Sequence, residues 1–413
     1  MTSSKISSRK RYLSPQYLLA KVREKGVVWG LKTGLSRASL RLRGYAYNVL
    51  NKDAPHLLGT NDWLGPTWRF LLRGRKQLER RILLIWDSRA QPYSVGDLLV
   101  LHEVGLVLRL IYQVNKIDVC MVYDPQQPGT GPRHDEITSY NFHNHLTSLF
   151  PVVYLNPHLG SFMVFDSHDQ LEKYISENIK IYYPWPSEFK YRQLTYLYYE
   201  AFHLFLSFYE KNGYLPSLSC RPVTLDWAYS FLEDKVSPAI PIVVHLRMNA
   251  KLDLNRNARV DAWLEFFHYC EHKYPAKFVV VGTARETDNR LRQCSNVIIA
   301  KDYQTNVEQD LALIQASAIF MGNASGPSTI AIFSQRPYII VGMALKGQPG
   351  IVDGTPGNGF VFANENQRLI WERETTQILI WEFEDIFNRI DRSEWESQRR
   401  TAHQTVETSF YLS

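Results

Sequence analysis

The sequence predicts an α/β protein built as two halves facing a cleft, with a basic N-terminal extension ahead of them. Three observations carry this. The chain has 413 residues, more than one core of ordinary size accommodates at roughly 100–200 residues per domain. From residue 80 onward, buried-type strands alternate with helices and the rhythm restarts near residue 240; such alternation builds parallel sheets covered on both faces. Residues 1–81 hold 18 Lys and Arg against four acids, a net of +14, whereas the rest of the chain holds 29 basic side chains against 37 acidic ones. A basic arm on an acidic body points to a partner: anionic lipid, nucleic acid or an acidic surface.

Composition removes several classes. Hydrophobic residues at 45% and charged residues at 21% exclude a mostly disordered chain or a coiled coil. No run of about 18 apolar residues exists, so no membrane span is expected. The opening MTSSKISSRKRYLSPQ has no apolar stretch behind its charges, so no cleaved signal peptide is expected. Cys120, Cys220, Cys270 and Cys294 lie far apart without C-x-x-C spacing. Neither a disulfide framework nor a structural zinc site is therefore expected, and a reducing compartment fits.

In the arm, Leu18, Leu19, Val22, Val28, Trp29 and Leu31 interleave with Lys21, Arg23, Lys25 and Lys32. This composition suits a basic amphipathic helix on a membrane surface; an extension packed on the body, its charges solvated, is the alternative, and Gly26 and Gly34 weaken any single long helix. In the first half RRILLIWDS predicts a buried strand, LLVLHEVGLVLRLIYQVN a helix and KIDVCMVYD a second strand. ITSYNFHNHLTSLF predicts a helix, and VVYLNP and SFMVFD short strands. Leu194, Tyr198, Phe202, Phe205 and Tyr209 form an aromatic stripe at helical spacing, for which core packing is the preferred role. A hinge is expected over residues 212–240, with a short helix TLDWAYSFLEDK inside it. In the second half IPIVVHLRM, KFVVVGT, SNVIIAKDY, AIFMG and RPYIIVG predict strands, and RVDAWLEFFHYCEHKY, VEQDLALIQAS and GPSTIAIFSQ helices.

Two stretches carry chemistry. In MGNASGPSTIAIF a strand ending at Met321 runs through Gly322, Asn323, Ala324, Ser325, Gly326 and Pro327 into a helix, with Pro327 at its first position. The unpaired N–H groups of such a start attract a diphosphate, and Ser325, Ser328 and Thr329 add hydroxyls; the same run is also an ordinary strand-to-helix junction. In VVHLRM, Arg247 stands where the first strand of the second half ends, the place that points into the ligand crevice of an open α/β sheet. A guanidinium grips phosphate with parallel donors, and His245 would lie on the same side of the strand.

Taken in order, HLRM, KFVVVGT, QDLALIQASAIFMGNASGPSTIAIF and RPYIIV, within residues 240–345, resemble the donor half of a GT-B glycosyltransferase. The H-x-R strand is similar to the first motif of the fucosyltransferase-like superfamily. LNRNARVDAWLEFF resembles a bacterial group of surface-polysaccharide glycosyltransferases that carry Arg-Asn-Ala after this strand. SVGDLLVLHEV resembles, less closely, the acceptor-side Gly-Asp loop. The resemblance implies two Rossmann-like domains facing a cleft (GT-B), and inversion at the anomeric carbon. It also implies Arg247 on the nucleotide diphosphate with Ser-Gly-Pro-Ser beside it. His245, Gly282, Asn323, Ser325, Gly326, Ser328 and Thr329 complete the expected donor site. Met248 and Asn249 stand where many relatives have further basic and acidic residues, so GDP-fucose is not assumed.

The expected organisation is an extension over 1–80, an acceptor-side domain over 81–235, a donor domain over 236–390 and, as the resemblance implies, a helix over 391–413 crossing back to the first domain. Asp97 is the leading general base, with helix capping as its alternative role. His134, Asp135 and Glu136 come next; His143, His145 and His158 are read as structural, and nothing selects His102 or Glu103. Asn364, Asn366, Gln367 and Arg368, after a glycine-rich loop, offer groups that would read a base or sugar. No D-x-D triplet occurs, so neither a metal nor any other cofactor is expected and the diphosphate would be stabilised by protein groups. The expected activity is transfer of a sugar from a nucleotide-diphosphate donor to a glycan or lipid-linked oligosaccharide in surface-polysaccharide synthesis. The arm would hold the enzyme on an anionic membrane at the cytoplasmic face; nucleic acid is not an expected partner. A nucleotide-sugar epimerase of the same fold and a non-catalytic glycan- or nucleic-acid-binding protein are the alternatives.

Overall fold

The computed structural model describes residues 79–89, 94–126, 138, 140–186, 194–249, 254–343 and 359–390. All of them fall within one compact unit, Leu78–Ser413. The basic arm up to residue 78, the His134–Glu136 stretch, the glycine-rich loop before residue 359 and the closing helix expected over 391–413 lie outside the described residues.

The first half opens with β1 (Arg81–Asp87), whose last six residues are buried. Helix α1 (Val95–Tyr112) follows, then β2 (Ile117–Val122), α2 (Phe142–Val153), β3 (Leu159–Phe165), α3 (His168–Glu177) and β4 (Tyr182–Trp185). The four strands pair in parallel in the order β3-β2-β1-β4. Continuous burial of β1 and β2 follows from cover on both faces, which parallel crossovers impose. α1 begins at Ser94, whose hydroxyl accepts from the Asp97 N–H, and is buried from Gly96 through Leu108. It is apolar all round because β1 lies against one side and helices of both halves against the others.

Helices α4 (Leu194–Asn212) and α5 (Pro222–Val236) connect the halves. Pro222 stands at the start of α5, where its missing N–H costs nothing. The second half runs β5 (Ile240–His245), α6 (Val260–Glu271), β6 (Ala276–Val281), β7 (Val297–Ile299), α7 (Val307–Ala316), β8 (Ile319–Asn323), α8 (Ser328–Ile332), β9 (Tyr338–Val341), β10 (Gln367–Ile370) and α9 (Thr376–Phe387). Its sheet is parallel throughout, in the order β10-β9-β8-β5-β6-β7. Counted within this half, the first strand lies between the second and the fourth. That is the doubly wound order, and it puts a topological switch point between β5 and β8. The two Rossmann-like halves expected from the sequence are present.

Several elements differ from expectation. VVYLNP is the end of α2 and the loop after it, because Val152 and Val153 complete that helix's buried face. β8 runs on to Asn323, and α8 is a single short helix whose cap is Pro327 rather than its first residue. β4, α3, β10 and α9 were not foreseen. The segment read as a hinge is fastened to the second half. The Cys220 N–H donates to Gln315 Oε1 at 2.7 Å, Gln315 Nε2 donates to the Leu218 carbonyl at 2.8 Å, and Arg221 and Thr224 both bond Glu308. α5, which falls on the first-half side of the expected boundary, packs on α7. The aromatic stripe also joins the halves: Phe202 stacks on Phe360 at 5.3 Å and Phe205 meets Phe333 edge-on at 5.1 Å.

Candidate functional site

Ligands of open α/β sheets bind outside the carboxyl ends of the strands at the switch point. A cavity of about 190 Å³ lies there, against the start of α1. From the first half come Ser94, Gly96 and Asp97; from the second come Arg256, the run Ala324–Gly326, Ser328 and Thr329. Val100, Phe202, Ile332, Phe333 and Met343 supply the apolar wall. The halves meet closely here. A Cβ on Gly96 would stand 2.8 Å from Gly326 Cα and 3.1 Å from Thr329 Oγ1, so only a residue without a side chain permits this approach.

Asp97 is buried, and its carboxylate accepts a 2.6 Å bond from the Ser94 hydroxyl. Ser94 is the helix cap, so the capping alternative for Asp97 does not hold. Ser325 binds the His245 ring, Oγ to Nδ1 at 2.8 Å. Burial, with Arg247 adding to it and Glu286 opposing, holds the imidazole below its usual range and so neutral at pH 7. A neutral ring has one N–H. Glu286 stands 3.9 Å from Nε2. Gly282 stands behind the ring at φ +130°, where a Cβ would come within 3.1 Å of it.

The remaining donor-site residues divide. Ser328 turns its hydroxyl back to the Ser325 carbonyl at 2.6 Å and accepts the Ser325 N–H at 3.2 Å, while the Thr329 N–H bonds the Gly326 carbonyl. The turn therefore uses several of the groups that a diphosphate was expected to meet, and α8 is too short for the expected dipole. Asn323 lies in the core, where its amide donates to Glu374 at 3.1 Å. Gly282 supports the His245 ring and is not part of the cavity wall.

Arg247 is nearly buried, and Nη1 donates to Asn257 Oδ1 at 2.7 Å. Asn257 in turn bonds the Asn249 N–H and carbonyl, at 2.9 and 2.7 Å. Arg247 thus belongs to the clasp that closes the loop after β5, and the guanidinium in the cavity wall is that of Arg256. Sequence reasoning missed it, although Arg256 opens the Arg-Asn-Ala phrase. Of the base- or sugar-reading group, Gln367 donates to the Ser334 carbonyl at 2.7 Å and Arg368 pairs with Glu382 and Asp385. Both support the edge strand β10. No cluster of three or more His, Cys, Asp or Glu suited to a metal occurs among the described residues.

No protein-family model matches the sequence, and no curated protein does. Among solved structures, the chain is similar to the Escherichia coli ADP-heptose lipopolysaccharide heptosyltransferase II: 13% identity, 75% of this chain, 99% of that chain, TM-score 0.48. A family 9 glycosyl transferase from Veillonella parvula shares 12% identity over 80% of this chain and 97% of that one, at TM-score 0.45. The E. coli heptosyltransferase WaaC with ADP-2-deoxy-2-fluoro heptose shares 12% over 74% and 99%, at 0.39. At these scores the likenesses carry no chemistry, which has to be read from the residues themselves.

Proposed function

We propose that the protein is a glycosyltransferase of GT-B type, moving a sugar from a nucleotide-diphosphate donor to a glycan or lipid-linked acceptor in surface-polysaccharide synthesis. The observation that carries this is the cavity in which Asp97 of one half meets Ser325, Gly326, Ser328 and Thr329 of the other. In the proposed reaction Asp97 accepts the proton of the acceptor hydroxyl. The acceptor oxygen bonds the anomeric carbon, and the sugar–phosphate C–O bond breaks with its electron pair leaving on the diphosphate. Attack from the face opposite the leaving group inverts the anomeric centre. The sequence has no D-x-D triplet, so the protein's own donors are assigned the diphosphate charge.

The test begins with a thermal-shift panel of ADP, UDP, GDP, dTDP and CMP sugars on the full chain; a ligand that binds only the native state raises Tm by mass action. Transfer with the sugar so found should match in EDTA and in Mg²⁺. Asp97→Asn should lower kcat by about 10²- to 10⁴-fold, the usual contribution of a positioned base, with little change in donor binding. Turnover of the donor without any acceptor would favour an epimerase. Salt-sensitive nucleic-acid binding with no nucleotide-sugar binding would favour the non-catalytic alternative.

A further inference from the structure

We infer that Arg256 is the residue that grips the anionic part of the donor, a role that sequence pattern gives to Arg247. Among the described residues lining the cavity, Arg256 is the one base and Asp97 the one acid. A short helical turn, Leu254–Arg256, brings it there, and Nη2 donates to the Ala324 carbonyl at 2.6 Å. That bond fixes the plane of the guanidinium beside Ser325 and Gly326, and Ala324 follows β8 directly at the switch point. A guanidinium carries five N–H donors in a fixed fork, and one anchored in the cavity wall meets a phosphate with less side-chain ordering than a flexible ammonium needs.

Arg247 and Arg256 are two parts of one loop closure. The Arg247 carbonyl accepts from Ala258 N at 2.8 Å and its guanidinium bonds Asn257. Asn257 follows Arg256 in the chain, so the clasp made by Arg247 places the turn that delivers Arg256. Arg247 is a positioning residue and Arg256 the binding one. With Asp97 in the same wall, the described lining offers an anion to take a proton and a cation to meet developing negative charge, as a displacement at a sugar–phosphate bond requires.

The inference rests on the nucleotide-sugar reading, and the two fail differently. ADP, GDP and UDP, each with its nucleoside, would be titrated calorimetrically into the full chain, wild type, Arg256→Gln and Arg256→Lys. Wild type should bind one diphosphate well above its nucleoside. Arg256→Gln should weaken that diphosphate by about 10- to 100-fold, the loss of one or two charge-assisted bonds, and leave the nucleoside unchanged. Arg256→Lys should regain only part, because an ammonium lacks the fork. Unligated Tm values establish that the variants fold. If folded Arg256→Gln binds the diphosphate within threefold of wild type, the assignment is overturned while the nucleotide-sugar reading stands. The same holds for Arg256→Lys, the conservative variant, should Arg256→Gln not fold. If wild type binds no nucleoside diphosphate, both fall.

Discussion

His102 and Glu103 adjoin on α1, both fully buried, and both are held neutral. Burial pushes His102 down to about 4 and Glu103 well above the usual carboxylate range; neither Glu103 oxygen has a hydrogen-bond partner among the described residues. The signs oppose. The depressed His102 contributes stability that is full above 6.5, the unfolded value, and is lost as pH falls toward 4. The raised Glu103 contributes stability that is full below 4.5 and is lost as pH rises above it. Between 4.5 and 6.5 the two slopes cancel. Glu103→Gln should unmask one of them, gaining about 1.4 kcal/mol relative to wild type for each unit of pH rise above 4.5. Urea unfolding at pH 5, 6 and 7 measures this, and a pH-independent difference would mean that Glu103 is ionised in the native state. At this scale the sequence pointed to two of the residues that line the cavity. Asp97 and Ser325 were legible because each follows an element end that strand and helix periodicity locate. Arg247 and Arg256 were not separable, because the sequence between them has no period and the Asn257 clasp that holds Arg247 is a tertiary contact.

At the scale of elements, the meeting of α1 with the Gly326 turn decides whether the cavity exists. Gly96→Ala improves helix propensity by about 1 kcal/mol, but its Cβ would stand 2.8 Å from backbone, where neither side can turn away. Overpacking of this kind costs about 1–3 kcal/mol, so the net should be a loss of stability. Transfer activity should fall further than stability does, because the cavity walls must separate; donor kinetics beside a urea titration would compare the two. A Gly96→Ala chain more stable than wild type would show that the halves do not touch there. The first strands of both sheets were legible in the sequence because parallel strands buried on both faces read as unbroken apolar runs. β4, YYPW, and β10, QRLI, are edge strands, one carrying Pro184 and the other opening with Gln367 and Arg368, so they lack that signature. α8 was overestimated because the apolar run AIF continues its pattern past the helix end, where Phe333 instead packs on Phe202 and Phe205.

For the whole molecule, charge distribution gives what the fold does not. The two halves share one apolar cluster that includes Phe202, Phe333 and Phe360, and the body they form is net acidic. The +14 of residues 1–81 needs a separate explanation. An anionic leaflet attracts each adjacent Lys or Arg by about 1 kcal/mol, and the attraction decays within a Debye length, roughly 8 Å at physiological salt. A net acidic body is repelled by the same surface. The arm should therefore dominate any membrane binding, with its Leu, Val and Trp residues adding apolar contact. Co-sedimentation with vesicles containing 30% phosphatidylserine (about the charge needed to build such a surface potential) would compare the full chain with one starting at residue 79. The full chain should pellet at low salt and be largely released near 0.5 M NaCl, and the shortened chain should stay in solution at both. Binding that resists salt would assign the attachment to the apolar residues instead of the charge. Equal pelleting of the two chains at low salt would remove the arm from the mechanism altogether.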